Sequence, residues 1–162
     1  MKKHIKLIVT TASILAAGLL ISGCATAVGG VKMPQAAANF APKHNYTVTS
    51  EKAFSAIQTA LENNHIGVAS SDKGTGVLRS EVVNGPSYLL AGGMAGAQST
   101  RYSFNVSVRP NGAEVRINVI AKLESSMNSG NGSSQWNDVT GQNPANIAQL
   151  ENWLFEQIEA AL

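Results

Sequence analysis

Side-chain catalysis needs a nucleophile with a base, a pair of carboxylates or a metal-binding set, and this 162-residue chain offers few such groups. It has one cysteine, Cys24, so neither a disulfide framework nor a cysteine zinc site is available. Of its three histidines, His4 lies in a basic leader and His44 in a stretch of small residues, while His65 follows Asn63 and Asn64 at a helix-to-strand turn. No H-x-x-x-H pair and no G-x-S-x-G elbow occurs. Gly74-Thr75-Gly76 leads into a strand pattern, whereas a phosphate loop would open a helix. Glu151, Glu156 and Glu159 follow the polar side of a C-terminal helix and read as a solvated face. Arg101, Asn105, Arg109, Arg116 and Asn118 share the wet face of two strands. They would suit a polar pocket or an anionic partner, and a solvated face is the plainer reading. The expectation is a chain that is not an enzyme and holds no cofactor and no metal.

Two segments stand out for binding. Residues 88–97, Tyr88-Leu89-Leu90-Ala91-Gly92-Gly93-Met94-Ala95-Gly96-Ala97, are apolar, glycine-rich and uncharged, although they join two strands. Gly92 and Gly96 form a G-x-x-x-G, but ten residues are too few to span a bilayer. Three readings stand. Leu89 and Leu90 fold back into the core; or Tyr88, Leu89, Leu90 and Met94 dock on a protein partner; or the segment touches lipid or an apolar ligand. The second segment, Ser125–Ser134, is rich in Ser, Asn and Gly. It would suit a polar polymer such as a glycan, with Trp136 as a stacking platform, or it is a solvated loop.

Charge and the first residues give an address. The chain has 12 basic and 10 acidic residues, net +2, but Lys2, Lys3 and Lys6 sit in the leader. Without them nine basic residues face 10 acidic ones, so no basic stripe remains for nucleic acid. Met1–Lys6 is basic, Leu7–Ile21 largely apolar, and Ser22, Gly23 and Cys24 follow, the layout of a secretory signal. The apolar run is shorter than the roughly 20 residues a membrane span needs. Ile21-Ser22-Gly23-Cys24 resembles the lipobox of bacterial lipoprotein precursors, an apolar residue and two small ones before Cys. That resemblance implies removal of residues 1–23 by cleavage between Gly23 and Cys24, with lipid attached to the Cys24 sulfur. Ala25 and Thr26, in place of an Asp after the cysteine, imply the outer membrane and a periplasmic domain. Two or three acyl chains hold almost permanently.

The remaining elements follow from periodicity. Residues 24–45 contain Gly29, Gly30, Pro34 and Pro42 and no lasting period, and read as a lipidated, flexible tether on which Phe40 is the residue able to dock. The folded domain spans 46–162. Tyr46–Val48 is a short strand. Thr49 or Ser50 caps a helix whose stripe is Ala53, Phe54, Ile57, Ala60 and Leu61, with Asn63-Asn64 as a left-handed stop. Ile66–Val68 and Val77–Val83 are strands, the second broken by Asn84-Gly85-Pro86. Tyr102, Phe104, Val106 and Val108 alternate before the Pro110-Asn111-Gly112 turn, and Val115, Ile117, Val119, Ala121 and Leu123 alternate after it, an amphipathic hairpin. Ser125–Asn143 reads as a loop. Asn143-Pro144 opens a last helix with Ile147, Leu150, Leu154 and Ile158 on one face.

The expected fold is therefore α+β, a two-layer sandwich with a mostly antiparallel sheet covered by two helices, in the order β-α-β-β-β-β-α. The first helix, the Ser70–Gly74 turn and the Pro110-Asn111-Gly112 hairpin are similar to features of small outer-membrane assembly lipoproteins, such as a lipoprotein component of the β-barrel assembly machinery. Such a fold likeness transfers no functional residue. The functional expectation is a membrane-anchored envelope lipoprotein acting as a non-enzymatic binding or assembly module, with an envelope protein as partner. The alternative is a carrier or sensor of a small apolar ligand or lipid held between helix and sheet.

Overall fold

The structure, a computed structural model, describes residues 26–27, 32–89, 97–128 and 135–162. Its spine is one hairpin made of β6, Ala97–Asn111, and β7, Glu114–Asn128, paired without a register break over all 15 residues of each strand. Partners on one face are Tyr102 and Leu123, Phe104 and Ala121, Val106 and Val119, and Val108 and Ile117, all buried. The alternation that builds this face also sends Arg101, Asn105, Arg116 and Asn118 to the other.

Short strands line both sides of the spine, giving one antiparallel sheet. On the β6 side, β5 (Val83–Leu89) covers the N-terminal half and β4 (Val77–Ser80) the C-terminal half, with β3 (Val68–Asp72) outside β4. On the β7 side, β8 (Trp136–Asp138) pairs near the end of the strand and β2 (Asn45–Tyr46) near its start. A two-residue strand β1, Thr26–Ala27, pairs with Leu89 and Tyr88 on the outer edge of β5. Helix α1 (Ser50–Asn63) and helix α2 (Pro144–Ala161) lie side by side on the apolar face, and Leu150, Leu154 and Ile158 are wholly buried against Phe104 and Ile57.

The α+β sandwich stands as expected, with differences of detail. β5 runs through Asn84-Gly85-Pro86, because a register shift between Asn84 and Ser87 takes up the proline, which has no N–H to give the ladder. The chain leaves the sheet between β4 and β5, so Val82 is exposed and Ser80 ends the buried side. There Ser80 plugs the ladder: its Oγ accepts from Phe104 N at 2.8 Å and donates to Glu81 O. Thr49 caps α1 by accepting from Lys52 N. The left-handed residue after α1 is His65, at φ 57°, rather than Asn63 or Asn64. His65 N and Ile66 N donate back to Glu62 O and Leu61 O, the pairing of a Schellman stop. Part of the Ser125–Asn143 loop is sheet, since β7 continues to Asn128 and β8 follows; 129–134 lie outside the described residues.

The tether reading gives way over residues 32–44, which lie along the domain. Met33 and Phe40 pack against the core, and the His44 ring meets Phe155 edge-on at 4.9 Å. The physical reason lies in two of the three α2 glutamates expected to face water, Glu156 and Glu159. Glu156 accepts from Ala37 N, Glu159 from Lys43 N and the Tyr46 hydroxyl, and Glu151 from Ala121 N on β7. Strand edges and extended backbone leave N–H groups that need acceptors, and α2 supplies them. Burial, and then the Glu159 carboxylate, push the Tyr46 phenol well above its ordinary value.

Two expectations test this packing by urea unfolding. Leu154→Ala empties a wholly buried site beneath α2 and should cost about 2–5 kcal/mol. Gly76→Ala should cost more than about 1 kcal/mol, because Gly76 has φ +63° and an added Cβ meets the carbonyl of Val108.

Candidate functional site

The hairpin is longer than its cover. Fifteen strand residues reach about 50 Å, whereas the 18 residues of α2 reach about 27 Å. Helix α2 starts opposite Leu123 and runs toward the β6–β7 turn, as Ala121 N bonding to Glu151 and Glu159 bonding beside β2 require. The helix-facing column of the sheet continues past Leu123 without a helix above it, and there it carries Thr100, Ser125 and Gln98, with the exposed Met127 beyond them.

A cleft of about 880 Å³ opens at this end. Its floor is Gln98, Thr100 and Ser125. Gln98 Nε2 donates to Ser125 Oγ at 2.9 Å, and Thr100 Oγ1 donates to Pro86 O at 2.8 Å. The approach to α2 supplies Gln142, Asn143 and Asn146 on one wall. Asn143 Nδ2 donates back to Val139 O, so the side chain does not cap the helix. The opposite wall is the docked segment, with Lys32, Met33 and Gln35, together with Pro86 and Ser87 of β5. Gly85 makes room here, since a Cβ would sit 2.7 Å from Thr100 Oγ1. Among the described residues, the only charged side chain in the lining is Lys32. By contrast, the layer between α2 and the sheet holds the buried Phe104, Leu150, Leu154 and Ile158.

The other face of the same end holds a charged cluster. Arg101 Nε donates to Glu124 at 2.8 Å and its guanidinium lies 4.2 Å over the Trp136 ring. Lys122 Nζ donates to the second Glu124 oxygen at 3.0 Å. Hydrogen bonding from Arg101, and then from Lys122, holds the Glu124 carboxyl below its usual range against the opposing effect of burial. Trp136 therefore has one ring face occupied by Arg101 and lies across the sheet from the cleft; residues 129–134 of the loop expected to hold a glycan beside it lie outside the described residues. Arg109, at the far end, is bonded to the Thr75 carbonyl. A second cavity, of about 160 Å³, lies there between the start of α1 and Gly74–Gly76.

The residues singled out from the sequence fall as follows. Gly23, Cys24, Leu90 and Met94 lie outside the described residues. Tyr88 and Leu89 belong to β5, where their backbones pair with Gln98 and Ala97 on one side and with Ala27 and Thr26 on the other. His44 and His65 are exposed and far apart in role: one rests on Phe155, the other stops α1. Among the described residues no group of three or more His, Cys, Asp or Glu side chains gathers to hold a metal, and no helix is long and apolar enough to cross a membrane. Of the cleft residues sequence reasoning singles out Ser125 for binding, as part of Ser125–Ser134, and misses the others; the available signal is the switch from Tyr102 and Leu123 to Thr100 and Ser125 within one alternating column. No protein-family model matches the chain, and no significant match to a curated protein was found.

The Arg101–Glu124 pair makes a pH prediction. A carboxyl lowered on folding contributes stability that is full above its unfolded value, about 4.3, and is lost as pH falls through its folded value. Acidification below about pH 4.3 should thus lower the melting temperature of the native chain more than that of Glu124→Gln, read by circular dichroism melts at pH 7 and in steps down to pH 3.

Proposed function

We propose that the chain is a lipoprotein of the bacterial envelope, held by acyl chains on Cys24 at the outer membrane with its domain in the periplasm, and that it works by binding rather than catalysis. The lipobox-like Ile21-Ser22-Gly23-Cys24 supports the anchor. The observation that carries the working arrangement is the pairing of Thr26–Ala27 with Leu89–Tyr88. Cys24 precedes Thr26 by two residues, at most about 7 Å of chain, so an anchor on it would tether the domain near the end of the hairpin that β5 and β6 form. The uncharged stretch of residues 88–97, the cleft and the lipid attachment then share one end of the domain. A partner in the same membrane meets this end first. Tyr88, Leu89, Leu90 and Met94 are the proposed contact with an envelope protein partner, while the polar Pro110–Gly112 turn points into the periplasm.

Photo-crosslinking from a probe at Leu90 in living cells tests the contact. A defined envelope protein in the adduct is the expected result; adducts only within the chain itself, or with phospholipid, would sink the partner reading. The anchor is checked separately by Cys24→Ser, which should abolish acyl labelling and release the domain from the membrane fraction. A wild-type chain with an unmodified Cys24 would overturn it.

A further inference from the structure

The polar cleft at the anchor end has a lining chemistry of its own. Five of its side chains are carboxamides: Gln35, Gln98, Gln142, Asn143 and Asn146. Three hydroxyls, Ser87, Thr100 and Ser125, complete the polar set. Among the described residues the lining has one ammonium, Lys32, and no carboxylate. A multiply charged anion would go largely unneutralised, and a cation would meet no carboxylate to balance its charge. The volume of about 880 Å³ lies within the range of small-ligand sites.

Carboxamides carry donors and an acceptor on one planar group. Sugar hydroxyls both donate and accept, so a vicinal pair can be held by one carboxamide through two bonds. The apolar lining is Met33, Pro86, Leu123 and Val139, four side chains beside nine polar ones. That balance suits the hydroxyls and C–H patches of a sugar ring better than an acyl tail. An extended peptide is the main competitor, and it binds best by adding to a free strand edge. The cleft, however, is lined on the face of the sheet, over Gln98, Thr100 and Ser125, and not along a strand edge. A peptide would have to lie on side chains alone.

We infer that the cleft is a glycan-binding site, taking a short run of sugar residues across Gln98, Ser125 and Asn146. Resting on the anchored-lipoprotein reading, the site faces sugars displayed at the membrane surface. Those sugars are either headgroups carried on lipid or ends of a free polymer, and both offer the same hydroxyl chemistry. Gln98 and Ser125, already bonded to each other, form a fixed floor, and the exposed Gln142 and Asn146 close over the ligand from the start of α2.

The test is titration of the purified full-length chain by calorimetry and by saturation-transfer NMR. The probes are N-acetylglucosamine and glucose tetrasaccharides, vesicles of digalactosyl diacylglycerol, vesicles of plain phosphatidylglycerol, and tetra-alanine. Binding of a tetrasaccharide, or of the galactolipid vesicles above the phosphatidylglycerol level, supports the site, and which of the two binds tells free from lipid-borne sugar. The double variant Gln142→Ala, Asn146→Ala alters exposed positions that the core does not need, and should weaken that binding tenfold or more. Ile120→Ala, on the opposite face, should leave it unchanged. Binding of no sugar probe overturns the inference, as does sugar binding indifferent to the double variant, or binding confined to phosphatidylglycerol or tetra-alanine. The intact mass of the same preparation reports acylation of Cys24, so a missing anchor and a missing glycan site are read apart.

Discussion

The structure depends on a mismatch of lengths. A hairpin of two 15-residue strands is about 50 Å long, and helices of 14 and 18 residues cannot roof it at about 1.5 Å per residue. Where the roof exists, the helix-facing column is Val, Phe, Tyr, Ile and Leu and excludes water. Where it ends, the column becomes Thr100, Ser125 and Gln98, groups that water can solvate, with Met127 exposed at its end. The cleft is the consequence of that switch. It lies beside the core without interrupting it, so its polar groups can be changed without emptying a packed site.

The second dependence is on acceptors. A sheet built from short flanking strands leaves ladder N–H groups at every gap, and side chains fill them. Ser80 serves Phe104 between β4 and β5, Thr140 serves Leu123 beside β8, and Glu151 serves Ala121 under α2. The same helix reaches outward through Glu156 and Glu159 to hold residues 37 and 43. Segment 32–44 thereby becomes a wall of the cleft, and the chain ahead of the domain is held at Thr26–Ala27 as well as along α2. Under the proposed anchor, a domain held in this way would present one end to the membrane.

Much of this is legible in the sequence where a long period carries the signal. The stripe of α1, the face of α2 and the alternation from Tyr102 to Leu123 all survive in the structure, since many residues vote for each. What escapes is decided by few residues or by the backbone. β1 and β2 have two residues each and no pattern to read. β5 crosses Pro86 through a register shift that only its partner strand makes possible. Propensity places the left-handed residue on an asparagine, and tertiary packing of Ile66 gives it to His65. Glu151, Glu156 and Glu159 look like a wet helix face because a carboxylate that accepts a distant backbone N–H has the same sequence spacing as one in solvent. The cleft is hidden because its residues come from separate stretches of ordinary polar sequence.

The proposed orientation is directional: the end of the hairpin bearing β1, the cleft and Met127 faces the membrane, and the Pro110–Gly112 turn faces away. Fluorescence quenching by lipids spin-labelled at the headgroup measures this directly, with single probes at Met127, exposed to 59%, and at Ala113, exposed beside the turn. Strong quenching at position 127 and weak quenching at position 113 in the membrane-bound chain is the predicted result. Equal quenching at the two positions, or the reverse order, would contradict it.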